Sequence, residues 1–211
     1  MGSFDGVAIF IPGNQIHIYG VEPTVHDIFG LVFQKPFFPV PLEALGATIH
    51  VHQIEPRKRF SVGDIQFTPY LLDHPDPCWG VKVMDGNKVL AHCVDTESTR
   101  FSREDLGEDL PLYQDVDLMI YDAQYTLPKV VERIDWGHSA AGVGLDLAMR
   151  EKIPKVIFVH HDPSSSNEDI LISMEEARKF QEIQKKTAKR INQDFFKVEW
   201  SFGYDGLEIN L

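Results

Sequence analysis

Four short segments place a residue able to bind a metal or carry a proton at the end of an apolar run or at the start of a helix. They are Leu72-Asp73-His74-Pro75, Val94-Asp95-Thr96, Trp136-Gly137-His138-Ser139 and Phe158-Val159-His160-His161-Asp162. Chemistry carried at strand ends implies a layered fold, because a rigid sheet fixes such residues while loops shape the pocket above them.

The rest of the chain supplies the strands and helices this needs. Residues 16–19 read as a short strand after the Pro12-Gly13-Asn14 turn. Thr24 is a candidate cap for a helix running to about residue 33, ended by the Pro-rich stretch 36–41. Residues 48–54 and 65–72 alternate in the strand manner, the second after the Gly63-Asp64 turn. Segments 80–84 and 88–93 flank Asp85-Gly86-Asn87, a hairpin signal. The apolar runs 118–121 and 156–159 suggest strands covered on both faces.

Helical spacing appears over residues 139–151, with Pro154 beyond its end. It appears again over 173–190, where Ser173 and Glu176 suggest a capping box. Residues 197–211 suggest a closing hairpin around Tyr204-Asp205-Gly206. Strands early and strand–helix alternation late predict an α/β fold. With no repeat or low-complexity linker, 211 residues read as one domain, 1–211.

Hydrophobic residues at 43% and charged residues at 25% are ordinary for a globular chain. A formal charge of −12 disfavours bulk binding to a nucleic-acid backbone. The basic cluster at Lys185, Lys186, Lys189 and Arg190 follows an acidic stretch and reads as a solvated helix face. Cys78 and Cys93 are too few for a disulfide framework, so a reducing cytoplasm is expected, with both thiols packed inside. No apolar run approaches the roughly 18 residues of a membrane span, and the first five residues lack signal-peptide character.

Singly, each candidate has an ordinary reading. His74 fits a loop histidine, Asp95 an Asx-type turn, and His138 a helix N-cap neighbour bonded to backbone. His160, His161 and Asp162 together at the end of a buried strand are less often accidental. A dinuclear hydrolytic site needs neutral imidazoles, a bridging carboxylate and open positions for water, with its ions about 3.5–4 Å apart.

In sequence order the motifs resemble the metallo-β-lactamase superfamily, most closely its ribonuclease Z-like and cyclic-nucleotide phosphodiesterase-like branch. There, a His-Pro after one strand and before a Gly-containing strand matches His74-Pro75 and Gly80. An Asp-Thr ending the next strand matches Asp95-Thr96, and an acid-Ala pair matches Asp122-Ala123. Gly-His-Ser opening a helix matches Gly137-His138-Ser139, and a strand ending in the last metal histidine matches His160. The resemblance runs from about residue 71 to residue 162.

It implies an αββα sandwich and a metal-dependent hydrolase, with phosphodiester bonds attacked by a dinuclear metal-activated hydroxide. His74 and His160 would each bind one of two divalent ions (zinc, or manganese or iron), with Asp95 bridging them. His138, held by Asp122, would be the proton donor. Ser139, His161 and Asp162 are candidate substrate contacts, and Tyr125, Trp136 and residues 164–167 candidate pocket walls. A lactone or thioester hydrolase, and a non-catalytic or degenerate scaffold of the same fold, are the alternatives.

The family's opening His-x-His-x-Asp-His occurs nowhere in the 211 residues. His50-Val51-His52 is the one His-x-His, and Gln53-Ile54-Glu55 comes after it. Both histidines fall in a predicted strand, facing the same way, and read as surface or satisfied-core residues. The segment 1–14, with Ile11-Pro12-Gly13-Asn14, resembles the stretch immediately C-terminal to that signature in the family. The expectation is therefore an N-terminally incomplete sandwich that binds metal weakly or not at all by itself, and homo-oligomerises through an uncovered sheet edge or face. A small-molecule or nucleotide substrate is the expected partner, and no membrane.

Overall fold

The computed structural model describes Ile9 and residues 11–211, apart from the side chain of Glu43. The expected segment 1–8, and residue 10, lie outside the described residues. The chain divides into two compact units between Lys58 and Arg59.

In the first unit, β1 (Gln15–Gly20) pairs in parallel with β2 (Thr48–Gln53), and α1 (Val25–Val32) lies between them in sequence. A parallel pair needs such a crossover, because a tight hairpin can join only antiparallel strands.

The second unit is built on a seven-stranded sheet whose strands lie side by side in chain order. They are β3 (Phe60–Val62), β4 (Ile65–Leu71), β5 (Trp79–Asp85), β6 (Lys88–Cys93), β7 (Leu118–Asp122), β8 (Lys155–Val159) and β9 (Glu199–Phe202). β3 to β6 are antiparallel neighbours, whereas β6 to β9 run parallel. The change follows from the connections. Gly63 and Gly86 sit at φ +59° and +56° in the two tight turns, a left-handed conformation that glycine adopts without penalty. Beyond β6, helices carry the chain back to start each parallel strand.

These helices are α2 (Arg103–Leu106), which runs into a 3₁₀ turn (Gly107–Leu112), then α3 (Leu127–Glu132), α4 (Ala141–Glu151) and α5 (Asn167–Arg190). α4 lies against β7 and β8, and Tyr121, Phe158, Leu145, Ala148 and Ile153 are fully buried there. Each large apolar side chain so buried contributes about 1.5–3 kcal/mol. Gly144 makes the approach possible: a Cβ there would meet the Tyr121 ring at 2.5 Å and the Phe158 ring at 2.9 Å.

The predicted strands and the helix of residues 139–151 appear within two residues of their expected ends. Two readings change. α5 starts six residues before Ser173, because Ser166 and Asp169 form the capping box in its place. Ser-x-x-acid patterns also occur upstream of Ser173, and with no breaker between them and Ser173 the helix starts at the Ser166–Asp169 pair, close to Pro163. The C-terminal hairpin is absent: β9 pairs with β8, and among the described residues no return strand comes after it. Gly203 N–H instead donates to Phe158 O at 2.7 Å, anchoring the exit from β9. Cys93 is buried, as expected, while Cys78 is only half-buried. No helix among the described residues is long and apolar enough to cross a membrane.

Candidate metal centre

Three adjacent parallel strands end at the site. Asp122 is the last residue of β7, His160 comes directly after Val159 of β8, and Asp95 lies two residues past Cys93 of β6. The register sets Cys93 beside Tyr121 and Asp122 beside Val159, so the three chain exits are neighbours. Asp95 and His160 both take left-handed backbone angles, φ +63° and +64°. Such angles are uncommon away from glycine and gather at functional sites. His138 arrives from the loop before α4.

Asp122 is the hub. It is fully buried, and five donors converge on it. The amides of Gln124 and Ser139 donate to Oδ1 at 3.0 and 3.2 Å. On Oδ2, the Asp95 amide lies at 3.1 Å, His138 Nδ1 at 3.0 Å and His160 Nδ1 at 3.1 Å. A carboxylate only accepts, so Nδ1 of each ring carries the proton, and Nε2 of each is the lone-pair nitrogen when the ring is neutral. The two imidazoles lie 4.9 Å apart, centre to centre.

His160 Nε2 stands 3.2 Å from Asp95 Oδ1. That oxygen is itself buried and accepts no hydrogen bond, although the Asp95 side chain as a whole is 43% exposed. Two lone-pair atoms held this close repel unless something positive lies between them. A proton on His160 is one solution, and Asp122 favours it: its hydrogen bond raises the His160 pKa against the opposing effect of burial. A divalent cation is the other. Asp95, Asp122, His138 and His160 each offer a ligand atom, all within 4.8 Å of one another. The local field agrees, for burial, Asp95 and then Asp122 push the Cys78 thiol up. An orphaned oxygen, oriented imidazoles and a negative field fit a cation. Since both oxygens of Asp122 are already occupied by donors, Asp95, His138 and His160 are the free donors.

His74 stands beside this group and outside it. Its ring centre is 6.0 Å from that of His138, and its Nδ1 is engaged with the backbone of Asp76. The ring lies against Gly137, where φ is +85° and a Cβ would come within 2.0 Å of His74 Cδ2. Ser139 is fully buried: its hydroxyl accepts from Tyr121 and its amide donates to Asp122. His161 stacks on Phe202 at 5.4 Å, and Asp162 is engaged with Ser164 and Arg133. His50 and His52 belong to the first unit.

Two residues that no motif announced hold the loops. Glu97 donates its amide to Asp73 O at 2.8 Å, and its carboxylate accepts from the amides of Trp136 and Gly137 at 2.9 and 3.2 Å. The segments bearing His74, Asp95 and His138 are thereby tied together. Arg100 pairs with both Asp73 and Asp109 and donates to Leu71 O, fixing the exit from β4. In sequence each is one charge in a polar loop, with no spacing signal to mark it.

The fold matches known structures. A metallo-β-lactamase-fold protein, YhfI from Bacillus subtilis, aligns at 13% identity with a TM-score of 0.60, over 92% of this chain and 64% of that one. A diphosphatase of the PhnP family aligns at 14% and 0.56, over 94% and 60%. Unliganded yeast PDE1 aligns at 16% and 0.61, over 90% and 58%. The chain thus spans under two thirds of the length of each. Among curated proteins no sequence match is found. Residues 6–161 match the family described as the beta-lactamase superfamily domain, and this chain, with its metallo-β-lactamase fold, belongs to that family.

Proposed function

We propose that this chain carries the active site of a metal-dependent phosphodiesterase. The observation that supports the reading best is the Asp122 hub, which aims two lone-pair nitrogens beside an orphaned carboxylate oxygen. Asp95 and His160 would hold a divalent ion, with His74 available beside them. A bound ion of this kind supplies Lewis-acid polarisation of a phosphoryl oxygen and a nucleophile at neutral pH.

The chain's own residues would do the rest. His138 is 16% exposed, with its proton-bearing Nδ1 fixed on Asp122, so Nε2 is the nitrogen presented for chemistry. Protonated there, the ring forms a charge pair with buried Asp122 and passes its Nε2 proton to the leaving oxygen, returning to the neutral imidazole. The Ser139 amide holds Asp122 Oδ1, and the Tyr121 hydroxyl holds the Ser139 side chain. The likeness to the PhnP-family diphosphatase supports a phosphorus-centred substrate, although at 14% identity it establishes the fold alone.

His138→Ala tests the assignment. Turnover of a diester should fall roughly 100- to 10,000-fold, the range for one acid–base group. Zinc content per chain should stay unchanged. A matching loss of zinc would make His138 a ligand, and unchanged turnover would reject its role. We further propose that the chain by itself holds its ion weakly: with His138 kept for proton transfer and His74 outside the group, Asp95 and His160 provide two ligands where a catalytic zinc usually has about three from protein.

A further inference from the structure

Trp136 stands two residues before His138 and is 59% exposed, more than a large aromatic ring normally leaves to water. It is far from loose. Its amide is fixed on Glu97, the residue that also ties down the loops of His74 and Asp95. Its ring is backed by Arg133, whose guanidinium carbon lies 5.1 Å from the indole centre and 4.6 Å from the centre of Tyr125. Tyr125 is buried, and its ring meets His138 edge-on at 5.8 Å. An unbroken stack of rings and one guanidinium therefore runs from the proposed proton donor to an open indole.

Arg133 is committed within this stack. It pairs with Asp162 at 3.3 Å and lies over the Tyr125 ring. With its charge engaged, it serves less as a phosphate receptor than as a rigid cationic backing for the indole. A rigid exposed π-face is costly to keep in water unless something flat covers it. In a site read as cleaving phosphodiesters, the flat group that arrives with the phosphate is a nucleobase.

Resting on that reading, we propose that Trp136 is the base-stacking platform of this site and that its substrates carry a nucleobase. Stacking also fits the chain's charge of −12, which repels a long polyanion but leaves a single nucleotide to be held by a neutral ring.

Calorimetric titration of the purified chain with adenosine 5′-monophosphate and with ribose 5-phosphate tests this, since it needs no turnover. The adenine compound should bind, and the base-free one should bind about tenfold more weakly, a ratio within the range for stacking on one aromatic ring. Trp136→Leu, which keeps apolar bulk, should erase that preference, whereas Trp136→Phe should preserve it. Equal binding of the two ligands, no binding of the nucleotide, or a preference untouched in Trp136→Leu would overturn the proposal. The diester assay fails or succeeds separately. A nucleotide-binding chain that hydrolyses nothing would defeat the phosphodiesterase reading alone, and a working hydrolase indifferent to Trp136 would defeat this one alone.

Discussion

Two clusters of histidines occupy this chain, and their surroundings set them apart. In the first unit, His17 of β1 and His50 and His52 of β2 stack with Tyr19. Neighbouring ring centres lie 4.7 to 5.1 Å apart, with planes within 15° of each other. His17 Nδ1 lies 2.8 Å from His52 Nε2, so one proton serves both nitrogens, and His50 Nε2 is buried without a partner. No carboxylate of the described residues joins them within ligand distance of one ion. In the second unit, His138 and His160 are similarly spaced, at 4.9 Å, yet both are fixed through Nδ1 on a buried carboxylate. On the proposed reading, a metal site differs from a mere histidine cluster less by imidazoles in proximity than by an anion that sets their tautomer and leaves matched lone pairs facing one place.

The most direct way to break that contrast is Asp122→Asn. The amide would aim an NH₂ at donors that now converge on a carboxylate, leaving buried donors unmatched. A loss on the order of 3 kcal/mol in unfolding free energy is expected. Metal affinity should fall roughly 10- to 100-fold, as when a partner that orients a metal-binding histidine is removed. Denaturant titration and competition with a zinc indicator would measure the two effects. An unchanged zinc affinity would show that Asp122 does not organise the site.

Gly137→Ala asks less of the hub and more of the loop. Its φ of +85° disfavours any side chain, and the added methyl would collide with the His74 ring. The expected cost is about 1–3 kcal/mol. If His74 is a ligand, zinc affinity should fall as well. If only stability falls, His74 is a loop histidine.

pH sharpens the comparison from another side. The folded-state pKa of His160 is raised, first by its bond to Asp122. Its contribution to metal-free stability is therefore fully present below the unfolded value of about 6.5 and is lost as pH rises through the folded value. Metal binding runs the opposite way, because the ion must displace the proton on Nε2 and so binds more tightly as pH rises. Thermal denaturation with and without zinc between about pH 5.5 and 8.5 should show the curves diverging upward in pH. Parallel curves would mean that zinc does not compete for that nitrogen.

The strand ends are legible in the sequence because two short-range signals coincide there: an apolar run ends, and a residue with chemistry comes next. Asp95, Asp122 and His160 all stand out that way. The hub is visible only as a pair, Asp122 with His138, since register and two left-handed residues decide that five donors meet one carboxylate. Glu97 and Arg100 are silent because their work is long-range. Each bonds a residue between 27 and 40 positions away, and nothing local marks it. The start of α5 is misplaced for the opposite reason: two local signals of equal form, Ser166 with Asp169 and Ser173 with Glu176, lie seven residues apart.

The smallest effect expected is also the test of the other cluster. His17 is exposed, and its shared proton with His52 replaces a hydrogen bond to water, so His17→Ala should change stability by no more than about 0.5 kcal/mol. Zinc content per chain should not move in His17→Ala or in His52→Ala. Both predictions rest on the absence, among the described residues, of a carboxylate within ligand distance: with no such anion to set the tautomer, the pair can rotate or hydrate at little cost. If either substitution halved the zinc content, imidazoles alone would suffice in this chain, and Asp122 would not be what makes the site. If neither does, while Asp122→Asn does, the carboxylate is what turns a pair of histidines into a site.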